Sequence, residues 1–171
     1  MSELPAGRHI VVMGVSGAGK TQVGSALATL LGIPFTDADG LHPAANVAKM
    51  SAGVPLTDAD RWPWLAIVGA ALAGAGHEGL VVACSALKRV YRDAIRAAAP
   101  ATLFVHLTVD HDTLADRVAS RPGHFMPVSL LDSQLEALEP LEADEAGVTV
   151  ESAGGVDATV DRVRAALVSK L

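Results

Sequence analysis

Half of the 171 residues are apolar and the formal net charge is −6. That length and apolar fraction suffice for one hydrophobic core, and Cys84, the only cysteine, excludes an internal disulfide and a cysteine-based structural zinc site. The acidic balance argues against a nucleic-acid backbone as the main partner, and the longest apolar runs are strand-sized, too short for a bilayer, so a soluble cytoplasmic protein without membrane or nucleic-acid partners is expected.

The first predicted strand covers Arg8 to Met13, a nearly continuous apolar run of the kind buried on both faces in a parallel sheet. It runs into Gly14-Val15-Ser16-Gly17-Ala18-Gly19-Lys20-Thr21, which reads G-x-x-x-x-G-K-T. Glycines at that spacing let backbone N–H groups curl round a phosphate, and the next helix, Lys20 to Leu31, points its positive end at the same anion. All eight residues are candidate nucleotide ligands, with Lys20 reaching the terminal phosphates and the Thr21 hydroxyl holding Mg²⁺. Gly32 ends the helix.

A second strand, Ile33 to Asp39, closes on two carboxylates. The long polar stretch from Gly40 to Asp60 holds at most one short helix, a length that usually marks function. Thr57 is an N-cap with Asp60 three residues on, opening a helix to about Ala75 with Pro63 expected in its first turn. Leu80 to Cys84 is the third strand, Lys88 to Ala99 a helix, Thr102 to Leu107 the fourth strand, and a helix from Asp110 or Asp112 reaches Ser120. Arg121 to Pro127 breaks the chain. Ser129 to Leu138 is helical, Gly147 to Glu151 is the fifth strand, and Val156 to Lys170 closes the chain as a helix. This alternation predicts an α/β fold, a parallel sheet covered by helices on both faces, with ligands at the carboxyl ends of the strands.

The polar clusters fall at those ends. Asp37 and Asp39 are two residues apart, so their side chains point the same way if the extended geometry lasts; one then faces the metal's water shell and the other an acceptor hydroxyl, or both cap the following turn. Lys88, Arg92 and Arg96 are spaced i, i+4, i+8 on one helical face, as a bound anion or a solvated surface would each allow. Arg117 and Arg121 precede the Pro-Gly break, suiting either a flap closing over phosphates or a surface turn. His42 and His124 lie in polar loops, as ligands or solvated side chains. Trp62 and Trp64 read as packing, and Cys84 as a buried strand residue. Nine of the 13 cations fall between Lys20 and Arg121, consistent with one focused anion site. No Asn-Lys-x-Asp run supports a guanine-reading switch, which leaves small kinases and a non-catalytic nucleotide-binding module as the readings of the residues alone.

The run Asp37-x-Asp39-x-Leu41-His42-Pro43-x-x-Asn46-x-x-Lys49-Met50-x-x-Gly53-x-Pro55-Leu56-x-Asp58-x-Asp60-Arg61-x-Pro63-Trp64-Leu65 closely resembles the small P-loop gluconate kinases. So do Cys84-Ser85-Ala86-Leu87-Lys88-x-x-Tyr91-Arg92-Asp93 and Arg121-x-Gly123-His124-Phe125-Met126. Thr21 stands where serine is also common, and either hydroxyl suits the metal. The resemblance spans about Val11 to Pro140 and implies one P-loop kinase domain like the nucleoside monophosphate kinases, with a five-stranded parallel sheet, a substrate-binding segment over about 40–60 and a lid over about 121–128. It implies ATP- and Mg²⁺-dependent phosphorylation of D-gluconate at the 6-hydroxyl, in a homodimer; other acceptors on this fold, shikimate or a nucleoside monophosphate, are the rivals. It further implies Asp39 beside the acceptor hydroxyl, with His42, Lys49, Arg61, Lys88, Arg92, His124 and Gln134 around the sugar acid. Lys20, Arg117 and Arg121 then act on the transferred phosphate, and Asp37 meets the metal through water.

Overall fold

Alternate residues of the first strand, β1 (His9–Met13), face opposite ways, and both sides are dry. Val11 and Met13 join a core with Trp64, Leu65, Val68, Val82, Ile95 and Phe104, whereas Ile10 and Val12 join one with Val23, Leu27, Val105, Val160 and Val163. A strand buried on both faces needs helices on both, which the order of elements supplies. The computed structural model describes residues 7–120 and 128–170.

After β1 come α1 (Lys20–Leu31), β2 (Phe35–Asp37), a short helical turn (Ala38–Leu41), α2 (Ala44–Ser51) and α3 (Asp58–Gly74). Then follow β3 (Leu80–Ala83), α4 (Arg89–Ala98), β4 (Leu103–Thr108), α5 (His111–Ala119), α6 (Val128–Ala137), β5 (Gly147–Glu151) and α7 (Val156–Ser169). The sheet has the order β2-β3-β1-β4-β5 with every pair parallel. Helices α1 and α7 belong to the core beneath one face, and α3 and α4 to the core beneath the other.

β1 and β3 are neighbours whose following chains leave toward opposite edges: β1 leads through α1 to the edge strand β2, and β3 leads through α4 to β4. That divergence opens a crevice at their carboxyl ends, the switch point where α/β folds bind ligands. Gly14 N–H donates to the Ser85 carbonyl at 3.3 Å across it.

Two boundaries depart from expectation. β2 stops at Asp37, because its carboxylate accepts from the Asp39 N–H at 3.0 Å and caps the turn Ala38–Leu41. Asp37 and Asp39 therefore do not share one extended strand face. Helix α3 begins as expected with a reciprocal capping box between Thr57 and Asp60, but Pro63 falls in its second turn, not its first. The anchor there is Trp64, 4% exposed, whose Nε1 donates to the Ala38 carbonyl at 2.8 Å and pins α3 to the turn after β2. No described helix is long and apolar enough to cross a membrane.

Candidate active site

Backbone geometry makes the loop between β1 and α1 a phosphate cradle. Gly14 has φ +148°, and a Cβ there would sit 2.9 Å from the Leu107 carbonyl oxygen, so the chain passes too close to β4 for any side chain. Gly19 takes φ +90° as the residue before α1, with no side chain capping the helix. The first N–H groups of α1 thus point into the crevice with the positive end of the helix dipole behind them. Lys20 Nζ donates to the Val15 carbonyl at 3.1 Å, folded back along its own loop.

Distant elements hold this loop from outside. Arg117, on α5, donates to the carbonyls of Gly17 at 3.1 Å and Ser152 at 3.2 Å. Gln134, on α6, clasps Ser16: its Oε1 accepts from the Ser16 N–H at 2.8 Å and its Nε2 donates to the hydroxyl at 3.1 Å. Gln134 thus binds the phosphate loop, and its amide is engaged there on both atoms. A cavity of about 700 Å³ lies against these groups, lined by Lys20, Thr21, Asp37, Asp39, Ser85 and Arg117 among others.

The two aspartates divide their work. Thr21 Oγ1 donates to Asp37 Oδ2 at 2.9 Å while Oδ1 caps the turn, so Asp37 is fixed against the phosphate loop. Asp39 is exposed, and the turn that Asp37 caps aims it into the same cavity. Hydroxyl and carboxylate side by side form a hard oxygen pair beside the cradle, a donor set that fits Mg²⁺, which keeps most of its water and takes few protein ligands. Cys84 at the end of β3 is inert: burial pushes its thiol up to about 12.

Beyond Asp39, α2, α3 and the start of α4 bring the remaining candidates together. The His42 ring stacks on Trp64 at 4.2 Å between centroids. Burial lowers the His42 pKa, opposed by Asp39 and reinforced by Arg61. Lys49 Nζ binds Asp60 Oδ2 at 2.7 Å, and that bond with the capping Thr57 N–H holds the Asp60 carboxyl down to about 2. Arg61 donates to the Leu56 carbonyl at 2.9 Å and stands 3.7 Å from Asp58. Lys88 Nζ is 3.9 Å from the same Asp58 carboxylate. Arg61 and Lys88 both lie over the Tyr91 ring, and the Tyr91 hydroxyl donates to Asp58. Burial, then that bond, pushes the Tyr91 phenol up to about 12, so it stays protonated.

The cation row on α4 does not form one anion face. Arg92 has no exposed surface: Nε and Nη2 donate to Glu145 at 2.7 and 3.0 Å, and Nη1 to the Ala86 carbonyl at 2.9 Å. Its guanidinium is spent inside the protein, so the assignment of Arg92 to the substrate is corrected to a structural one. Arg96 joins it on Glu145 at 2.8 Å. Of that row only Lys88, at the N-cap of α4, belongs to the Tyr91 cluster. Arg121 and His124 lie outside the described residues. Motif spacing gave no role to Asn46, Asp58 or Tyr91; the visible signal was Asn46 four residues after His42, and Tyr91 three after Lys88, the separations that bring side chains together on helices.

A phosphate cradle at the switch point of a β2-β3-β1-β4-β5 sheet, with a free carboxylate across the same cavity, puts the molecule among the ATP-using P-loop kinases. The shikimate kinase family matches residues 16–167. Gluconokinase of Gluconobacter oxydans is 50% identical over 159 residues, 91% of this chain and 89% of that protein. The thermosensitive gluconokinase of Escherichia coli is 50% identical over 143 residues, 82% of this chain and 76% of its own. A crystal structure of a gluconokinase from Sinorhizobium meliloti superposes with a TM-score of 0.88 at 48% identity, covering 97% of this chain and 94% of that one. The chain belongs to the gluconokinase family, within the shikimate-kinase-like P-loop kinases.

Proposed function

We propose that the protein transfers the γ-phosphoryl group of ATP to the 6-hydroxyl of D-gluconate, giving 6-phosphogluconate and ADP by direct in-line displacement. The observation that carries the reaction type is Asp39, exposed and opening into the cavity that the phosphate loop lines. Kinship supports the acceptor, since two gluconokinases are 50% identical to this chain over 159 and 143 residues.

Phosphoryl transfer is achieved mostly by positioning and charge stabilisation. Asp39 orients the primary alcohol and takes up its proton as the new P–O bond forms. Lys20 leaves the Val15 carbonyl for the terminal phosphates, and Arg117, already over the phosphate loop, spreads the charge that develops there. Arg121 and His124 belong to the lid over about 121–128 on this reading. Thr21 and, through water, Asp37 would hold Mg²⁺, which when bound neutralises phosphate oxygens. On the acceptor side Arg61 and Lys88 suit the carboxylate, and His42 with Lys49 suits the hydroxyls. Gln134 supports the loop from outside, and a homodimer is carried over from the family resemblance alone.

Because the shikimate kinase family also matches, the deciding experiment is an ADP-release assay across gluconate, shikimate and nucleoside monophosphates. Turnover with gluconate and none with shikimate is expected. Release with shikimate alone would replace the acceptor, and nucleotide binding without any acceptor-dependent release would leave only a binding module.

A further inference from the structure

Asn46 is 4% exposed and sits on α2, away from the phosphate loop. Its Nδ2 donates to the backbone carbonyl of Asp60 at 2.9 Å and stands 3.2 Å from His42 Nδ1. The carbonyl can only accept, so the atom facing it must be the amide nitrogen, and the amide orientation follows from the network. The second N–H of the same nitrogen then points at His42 Nδ1, which has to be the accepting, unprotonated nitrogen of the ring. The ring proton is on Nε2, and among the described residues Nε2 has no hydrogen-bond partner.

A proton on Nδ1 would set N–H against N–H inside a half-buried contact, and one flat face of the ring is already taken by Trp64. The groups around the imidazole are Asp39 from the turn after β2, Asn46 from α2, and Arg61 and Trp64 from α3; Asp60, the nearest other acid on α3, spends its carboxylate on Lys49 and Thr57. Arg61 opposes a charge on the ring and Asp39 favours one, with burial prevailing.

We propose that Asn46 is a positioning residue for substrate recognition: it locks His42 as a neutral Nε2–H donor, so this histidine offers one directed hydrogen bond to a sugar hydroxyl and no charge to the carboxylate. This rests on the reading of His42 as a gluconate contact. Charge recognition is thereby left to Arg61 and Lys88, and hydroxyl recognition is kept independent of pH across the range where a free imidazole would titrate.

The lock is tested first without any substrate. Long-range ¹H–¹⁵N correlation spectra of the histidine-labelled protein should show His42 protonated on Nε2 only, and neutral below the ordinary histidine pKa of about 6.5; an Nδ1–H tautomer or an imidazolium at neutral pH overturns the lock. In Asn46→Ala, KM for gluconate should rise about tenfold with KM for ATP unchanged, the scale of one lost directed hydrogen bond, and a new ionisation near 6.5 should enter kcat/KM for gluconate. His42→Gln, which has no titrating ring, should abolish that new ionisation when combined with Asn46→Ala. An unaltered KM and pH profile in Asn46→Ala, or the new ionisation persisting without His42, overturns the positioning role. Wild-type protein that shows the Nε2–H tautomer but releases no ADP with gluconate overturns the substrate and leaves the tautomer standing.

Discussion

At the scale of single residues, the two aspartates two positions apart carry different burdens because of one hydrogen bond. Asp37 accepts from both the Asp39 N–H and the Thr21 hydroxyl, which leaves its carboxylate rigid and turned to the phosphate loop. Asp39 has no such engagement and faces the open cavity. On the proposed reaction, Asp39→Asn keeps the shape and the hydrogen-bonding length but removes the proton acceptor. Turnover should fall by about 10²–10⁴-fold, the usual range for a general base, with ATP affinity essentially unchanged. Steady-state kinetics with gluconate alongside nucleotide titration would check this, and undiminished turnover would remove Asp39 from the mechanism. The motif identified both residues; their division of labour depended on where the strand ended, a choice made by capping rather than by alternation.

At the scale of elements, the segment between α6 and β5 is tied to the start of α4 by ion pairs. Glu145 and Arg92 both have fully buried side chains, and Arg96 adds a second guanidinium to the same carboxylate. Glu139 caps the Arg89 N–H at 3.0 Å, and Glu142 and Asp144 bind the Arg89 side chain. Burial works to raise the Glu145 pKa, yet the bonds from Arg92 and Arg96 hold it below the usual carboxylate value. A depressed folded-state pKa contributes stability that is present above the unfolded value and is lost as pH falls through the folded one. Glu145→Gln strands the Arg92 charge in a dry interior, so it should destabilise by about 3–5 kcal/mol and flatten the acid limb of the stability profile. Urea titrations between neutral and acid pH would measure both, and a change within error of zero would show that the network is dispensable. Spacing alone left a bound anion and a solvated surface equally open for Arg92 and Arg96, and the structure gives them neither; both are held by a carboxylate some fifty positions along the chain, which no local pattern could identify.

At the scale of the whole molecule, sheet order brings the loop after β1, the turn after β2 and the loop after β3 to one crevice. The cavity side of that crevice is built to receive anionic phosphates, so nucleotide binding should couple to global stability. With MgATP at about a hundred times its dissociation constant, about 2.7 kcal/mol of added stability is expected, seen as a raised Tm in a thermal melt. Lys20→Ala should lose most of that rise, and chelation of Mg²⁺ should shrink it in the unaltered protein; equal melts with and without MgATP in the unaltered protein would contradict the cradle's assignment. By itself the sequence determined the alternation of strands and helices, the phosphate loop, the capping box at Thr57 and the family, because each is written in local spacing and in side-chain chemistry that acts within a few residues. Only the tertiary structure decided that Asp39 turns into the cavity while Asp37 is tied down, that Gln134 clasps Ser16, that Arg92 is buried on Glu145, and that the Asn46 amide meets both the Asp60 carbonyl and His42 Nδ1. Those outcomes depend on which distant groups meet and on which of their hydrogen bonds water can no longer supply.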